Sequence, residues 1–264
     1  MDKDTKKIIS IAEKPSTFGV EFHNKGYELL GINQIYIPLK VLPDQLESIV
    51  QLVKDNFNGC SVSMPHKINI MDYLDSFDRS ATACIAVNTV VKQEDGSLYG
   101  YNTDYYGAKR AIQEKVEIKD KDVVMVGAGG VARAIGKAVI DLGGRLKIFN
   151  RTYDKGNDLA KKLGADVIGS HEDLFKTKGK LIINATSVGM FDHTEIPFHE
   201  NILDGYEAVM DVVGRETKLI YIAGRKNKIT IRGRSMTTYQ AARQFELYTN
   251  RTLPDSFLKE MLGE

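Results

Sequence analysis

Two α/β domains, the second built on a doubly wound parallel sheet, are what the sequence predicts, and three observations carry that prediction. The chain has 264 residues, more than one ordinary domain needs and enough for two. Short β-branched runs alternate with helical periodicity along most of it. From Lys121 onward the strands recur singly between helical stretches, the pattern of a parallel sheet covered on both faces.

The first half supplies the elements of an N-terminal domain. IISIA (8–12) reads as a strand, and Phe18 to Leu30 as a helix ended by Gly31, a residue suited to the left-handed cap. QIYIPLKV gives the next strand. Pro43 then opens a helix with Leu46, Ile49, Val50 and Val53 at helical spacing. CSVSM (60–64) reads as a strand, with Pro65 and His66 leading into a further helix. Thr89–Val91 and Leu98–Tyr101 flank Glu94-Asp95-Gly96, a hairpin turn signal.

Composition removes several functional classes. Hydrophobic residues at 42% and charged residues at 27% describe a chain that folds around a core without metal or disulfide support. A formal net charge of +1 argues against nucleic acid as the main ligand. No uncharged apolar run approaches membrane-spanning length, and the charged MDKDTKK start is unlike a secretory signal. Cys60 and Cys84 sit beside apolar residues without zinc-site spacing, so they read as buried thiols in a reducing cytoplasm.

In the second half, DVVMVGAGG is a buried strand running into a glycine turn, followed by a helix through Ile135, Val139 and Leu142. RLKIF (145–149), KLIIN (180–184), AVMDVV (208–213) and KITI (228–231) follow as strands, and a last helix runs from about Thr237 to Tyr248. Gly127-Ala128-Gly129-Gly130-Val131-Ala132 fits the G-x-G-x-x-A fingerprint of a Rossmann-type dinucleotide site. The first glycine permits the tight turn and the second admits the pyrophosphate to the backbone. The small third residue lets helix pack on sheet, and the helix N-terminus favours phosphate.

The strand after that helix ends in Phe149-Asn150-Arg151-Thr152, where an NAD enzyme usually carries Asp or Glu for the ribose hydroxyl. Arg151 would pair with a 2′-phosphate, with Asn150, Thr152 and Lys155 placed to assist, so NADP is the expected cofactor. The plainer alternative is that Arg151 is a solvated surface charge.

Metal clusters, a Ser–His–Asp set and a reactive-cysteine context are all missing from the sequence pattern. Lys67 and Asp104 are the candidates for proton transfer. Lys67 follows Ser-Met-Pro-His at a strand end, and Asp104 follows Tyr-Asn-Thr where a helix begins. A lysine beside a carboxylate can exchange the proton of a substrate hydroxyl during hydride transfer. Spacing alone does not bring the two together, and a surface lysine with a helix-capping aspartate remains the alternative.

Ser63-Met64-Pro65-His66-Lys67, Ala86-Val87-Asn88-Thr89 and Gly100-Tyr101-Asn102-Thr103-Asp104 resemble the substrate-domain signatures of shikimate dehydrogenases, in that family's order and spacing. GAGG (127–130), Asn150-Arg151-Thr152, the loop Asn184 to Met190, and Met236 with Gln240 resemble its cofactor domain and closing helix. The resemblance spans nearly the whole chain.

It implies NADP(H)-linked interconversion of shikimate and 3-dehydroshikimate, with Lys67 and Asp104 as the catalytic pair. Ser63, Asn88 and Gln240 match substrate-binding positions. Gly127 to Val131, Asn150 to Lys155, Thr186, Gly233 and Met236 match the cofactor surroundings. Residues 1–105, with 237–264 packing back on them, become the substrate domain, and 106–236 the NADP domain. The expected partner is a shikimate-like cyclic polyol acid, with no nucleic acid or membrane, in a cytoplasmic monomer or homodimer.

Departures from the family pattern are equally informative. The usual Ser-x-Ser pair that grips the substrate carboxylate is replaced by Thr17 and Gly19, and Val20 stands where proline is usual. Ser16 and Thr17 offer two hydroxyls in a shifted arrangement. Losing one hydrogen bond to a charged group costs about 1.5–3 kcal/mol, or roughly one to two powers of ten in affinity. Gly214 replaces a tyrosine in a shortened segment, and Ser235 and Ile85 replace glycines. The stretch from Pro15 to Asn24 is similar to a divergent branch, the shikimate-dehydrogenase-like proteins. Quinate or aminoshikimate are therefore alternative substrates, and a non-catalytic NADP(H)- or metabolite-binding protein is the alternative from another class. His23 and His66 read as supporting residues, and Phe245 and Tyr248 as core.

Overall fold

In the computed structural model, which describes residues 2–192 and 194–263, the opening apolar run is strand β1 (Lys6–Ala12). Ile8, Ile9 and Ile11 on it are almost wholly buried. Helix α1 (Phe18–Leu29) buries Phe22, His23, Gly26 and Tyr27, one face at helical spacing, and Gly31 follows at φ +61°. Strand β2 (Gln34–Lys40) leads to a short 3₁₀ turn at Pro43–Gln45 and helix α2 (Leu46–Asn56), which buries Leu46, Val50 and Val53. Strand β3 (Gly59–Val62) is buried throughout.

The helix expected after Pro65 does not form. A 3₁₀ turn at Asn69–Tyr73 stands there instead. The Lys67 carbonyl accepts from Val87 N–H at 2.7 Å, and Met71 N–H bonds to Ile68 rather than to Lys67. A carbonyl held by another segment is withdrawn from the i, i+4 ladder. Strand β4 (Ser76–Phe77) and helix α3 (Arg79–Cys84), the latter capped by the Asp78 carboxylate on Ala81 N–H, have no counterpart in the sequence reading. The expected hairpin is β5 (Thr89–Lys92) and β6 (Leu98–Tyr101), with Gly96 at φ +85°.

These strands form one mixed sheet in the order β2-β1-β3-β5-β6-β4. It is parallel from β2 through β3 and antiparallel across β3, β5 and β6. Helix α4 (Thr103–Gln113) follows, and then the repeating units: β7 (Asp122–Val126), α5 (Gly130–Asp141), β8 (Arg145–Phe149), α6 (Tyr153–Leu163), β9 (Asp166–Ile168), α7 (His171–Lys176), β10 (Gly179–Asn184), β11 (Tyr206–Asp211), α8 (Lys218–Arg225) and β12 (Ile229–Ile231). Their sheet is parallel throughout, in the order β12-β11-β10-β7-β8-β9. The first strand of the set is central and the order reverses beside it, the doubly wound topology. Strand β11 stops at Asp211, two residues before the expected end, because the Asp211 carboxylate turns back to accept from Val213 N–H.

Helices α9 (Gly233–Thr249) and α10 (Asp255–Leu262) end the chain. Contacts divide the chain into two units, Met1–Thr103 with Gln240–Glu264, and Asp104–Tyr239. The C-terminal segment completes the first unit: Phe245, Tyr248, Phe257, Leu258 and Met261 share a buried cluster with Ile8, Phe22, Tyr27 and Tyr36. Among the described residues no helix is long and apolar enough to cross a membrane. Cys60 and Cys84 are buried free thiols.

Candidate functional site

In the first unit the three signature segments are tied together by backbone and side-chain hydrogen bonds. Val87 N–H donates to the Lys67 carbonyl, and Asn88 N–H donates to the Tyr101 carbonyl at 3.0 Å. Asn102 uses its side-chain amide to hold the Ala86 carbonyl at 2.9 Å. Ser63 N–H bonds to Ile11 O, anchoring the loop to β1, and buried His66 places Nε2 2.9 Å from the Val41 carbonyl. Lys67 leaves this anchored turn half-buried.

Asn88 is the most constrained polar side chain of the group. It is buried, and its Oδ1 accepts from Thr103 N–H (2.7 Å), Thr103 Oγ1 (3.1 Å) and Thr89 Oγ1 (2.9 Å). Gln240 Nε2 lies 3.3 Å from Thr103 Oγ1, so Gln240 belongs to the same cluster. Thr89, Thr103 and Gln244 are members that the sequence reading missed. The signal for Gln244 was its position one helical turn beyond Gln240.

The N-terminal loop is looser. Ser16 and Thr17 are exposed; Ser16 Oγ accepts from Phe18 N–H at 3.2 Å, and Thr17 caps α1 without a side-chain bond. A Cβ at Gly19 would sit 3.1 Å from Tyr36 Oη, so a serine there would crowd the buried tyrosine. Ile85, which replaces a glycine, stands at φ 49°, ψ 45°, a left-handed conformation that a β-branched residue adopts under strain.

In the second unit, Asp104 lies in the first turn of α4 and is 7% exposed. Gly127 needs to be glycine for internal reasons: its φ is +115°, and a Cβ would come within 2.9 Å of the Ala185 carbonyl. Gly129 and Gly130 differ. A Cβ at either would meet nothing within 4 Å. The fold itself makes no steric demand for glycine there, whereas a group approaching the backbone at the start of α5 would. That helix carries no side-chain cap, and Ala132 is fully buried against the sheet. Uncapped first-turn N–H groups beside open space suit a pyrophosphate. Ala128 and Val131 flank the opening, half-buried.

After β8, Asn150 Nδ2 donates to Thr152 O at 2.7 Å and folds the turn, leaving Arg151, Thr152 and Lys155 exposed. Thr186 N–H and Oγ1 both bond to Asn184 Oδ1, at 3.0 and 2.7 Å. Asn184 Nδ2 reaches the Val188 carbonyl and the Asp211 carboxylate. Asp211 also accepts from Thr217 Oγ1 at 2.7 Å. Burial pushes the Asp211 carboxyl up from the ordinary range, and its hydrogen bonds from Thr217, Val213 and Asn184 oppose that shift. Gly233 is required by its own unit, since a Cβ would fall 2.3 Å from the Val213 carbonyl oxygen. Met236 is buried. Among the described residues no group of His, Cys, Asp and Glu could hold a metal ion.

Two family models match the chain: the shikimate dehydrogenase substrate binding domain over residues 16–90, and shikimate / quinate 5-dehydrogenase over residues 108–188. A shikimate dehydrogenase (NADP(+)) of Alkaliphilus oremlandii is 34% identical, over 98% of this chain and 97% of the relative. A shikimate dehydrogenase-like protein of Haemophilus influenzae is 35% identical, over 98% and 96%. The structure of shikimate 5-dehydrogenase from Thermus thermophilus in complex with NADP(H) and shikimate superposes with a TM-score of 0.87 at 26% identity, covering 98% of both chains.

Proposed function

The chain belongs to the shikimate dehydrogenase family, and from that premise we propose that it is an NADP-dependent oxidoreductase interconverting shikimate, or a close cyclic polyol acid, with its ketone. The first unit acts as the substrate domain and the second as the NADP domain. Their functional bounds are 1–105 with 237–264, and 106–236. The buried free thiols fit a reducing cytoplasm, where this reading puts the enzyme.

NADP, when bound, supplies the hydride acceptor for oxidation and the hydride donor for reduction. Gly127 to Val131 hold its pyrophosphate, with Asn150, Arg151, Thr152 and Lys155 on the 2′-phosphate. Thr186, Gly233 and Met236 shape the nicotinamide surroundings. Lys67 takes the proton of the reacting hydroxyl as the ketone forms and returns it in the reverse direction, with Asp104 as its partner. Asn88, Ser63 and Gln240 hold the ring hydroxyls, and Ser16 and Thr17 hold the carboxylate.

The observation that carries this reading is the bond from Val87 N–H to the Lys67 carbonyl, which fixes the turn bearing Lys67 beside the strand start bearing Asn88. The test follows NADP⁺ reduction by absorbance with shikimate, quinate and aminoshikimate, using Lys67→Ala as the blank. Turnover of shikimate, reduced roughly 10²–10⁴-fold in the blank, supports the assignment. Turnover confined to another polyol changes the substrate. NADP binding without turnover of any of them overturns the shikimate-like substrate reading in favour of another substrate or a binding role.

A further inference from the structure

Gln244 lies outside every role assigned above, yet its side chain is buried and fully engaged. Its Nε2 donates to the Asn88 backbone carbonyl at 3.1 Å and approaches Thr89 Oγ1 at 2.9 Å. A backbone carbonyl only accepts, so the amide group facing it is the NH₂. The Oε1 end therefore faces His23 Nε2, at 3.4 Å, and that ring nitrogen carries the proton. Phe22, Tyr36 and Phe245 surround the imidazole, with the Tyr36 ring stacked at 4.4 Å, and its Nδ1 has no partner among the described residues. Burial pushes the His23 pKa down to about 3, so the ring stays neutral in this tautomer.

The direction of each bond then propagates. Thr89 Oγ1 accepts from Gln244, so its single proton is free to go onward to Asn88 Oδ1. Thr103 N–H donates to the same oxygen, which fixes the Asn88 amide with its oxygen inward. Its NH₂ consequently faces away from the cluster and has no partner among the described residues.

We propose that Gln244, held by His23 and acting through Thr89, is a positioning residue that presents the Asn88 side chain to the substrate solely as a hydrogen-bond donor. This rests on the reading of Asn88 as a substrate contact. The ring group opposite Asn88 must then be an acceptor, a hydroxyl or carbonyl oxygen. An ammonium group in that place offers only donors, and it is rejected because buried donors would oppose one another.

The test is steady-state kinetics on the full-length enzyme with NADP⁺ and the polyol it oxidises. Thr89→Val removes the relaying hydroxyl at nearly constant shape, and Thr89→Ser restores it. Thr89→Val is expected to raise the polyol KM about tenfold, the loss of roughly one oriented hydrogen bond, with the KM for NADP⁺ unchanged. Thr89→Ser is expected to return the polyol KM to near wild type. Gln244→Leu is expected to reproduce the Thr89→Val effect, and the double variant to be no worse than the poorer single one. An unchanged KM in Thr89→Val, no rescue by serine, or additive effects overturn the relay. Asn88→Ala separates the two layers: if it leaves the polyol KM unchanged, the substrate-contact reading itself falls. If it raises KM while Thr89→Val does not, the relay alone falls.

Discussion

Asn184 and Asp211 end neighbouring parallel strands in register, and the amide of one donates to the carboxylate of the other at 3.0 Å. Through Thr186, Val188, Val213 and Thr217 this pair organises both loops that leave those strand ends. Loops at the carboxyl ends of parallel strands are where doubly wound sheets bind ligands.

Asp211→Asn keeps the oxygen that Asn184 and Val213 both use and removes a buried charge. Because the folded-state pKa of Asp211 is raised, the folded protein holds this proton more tightly than the unfolded chain. Its stabilising contribution is full below 3.8 and is lost as pH rises through the higher folded value. The asparagine variant should lack that dependence and melt at or above the wild-type temperature at neutral pH. Asp211→Ala, which strands buried donors, should lose about 1–3 kcal/mol in denaturant titration.

Ile85→Gly should stabilise the protein. The left-handed backbone costs isoleucine roughly 1–2 kcal/mol, and glycine gives back about 0.5–1 kcal/mol in chain entropy. Ile85 is 43% exposed, so the side chain forfeits little burial. A net gain near ~1 kcal/mol corresponds to a melting point higher by about 2–4 °C in a chain of this size. An unchanged or lower melting point would show that the Ile85 side chain contributes more packing than its exposure indicates.

His23 makes folding sensitive to acid. Its folded pKa is lowered from 6.5 to about 3, so the unfolded chain takes up a proton that the folded protein refuses. Stability from this group is complete above 6.5 and is lost as pH falls toward 3. The slope is about 1.4 kcal/mol per pH unit in that window. Urea titrations of wild type and His23→Asn across the window measure it, and parallel pH profiles would remove His23 from the account.

Arg151→Asp should shift cofactor preference from NADP toward NAD by roughly tenfold to a hundredfold, the value of one or two charge-assisted hydrogen bonds to the 2′-phosphate. Ratios of kcat/KM for the two cofactors read this directly. Unchanged ratios would reduce Arg151 to an exposed surface charge.

Much of the fold was legible in the sequence. Apolar runs such as DVVMV and RLKIF marked interior strands of the second sheet, and the Gly127–Ala132 spacing marked the strand-to-helix turn. What escaped had physical reasons. Strands β4 and β9 span two and three residues, too short to show a period of two. The Pro65 stretch carried helix-start chemistry, but a tertiary bond from Val87 captured the Lys67 carbonyl. Asp211 read correctly as part of a strand, but the pattern carried no sign that its carboxylate joins Asn184, Val213 and Thr217. Gln244 went unnoticed because its partners, Asn88 and Thr89, lie 156 and 155 residues away.

The first unit is interrupted in sequence, and that fixes the order in which a growing chain can fold. Its buried cluster joins Ile8 and Phe22, made before the second unit, to Phe245, Leu258 and Met261, made after it. The second unit has every strand of its sheet once Ile231 has been added. On the ribosome the second unit can therefore close around its core while the first still waits for its final helices. Until those helices are made, Phe22 and Tyr27 lack the apolar partners that cover them in the folded unit.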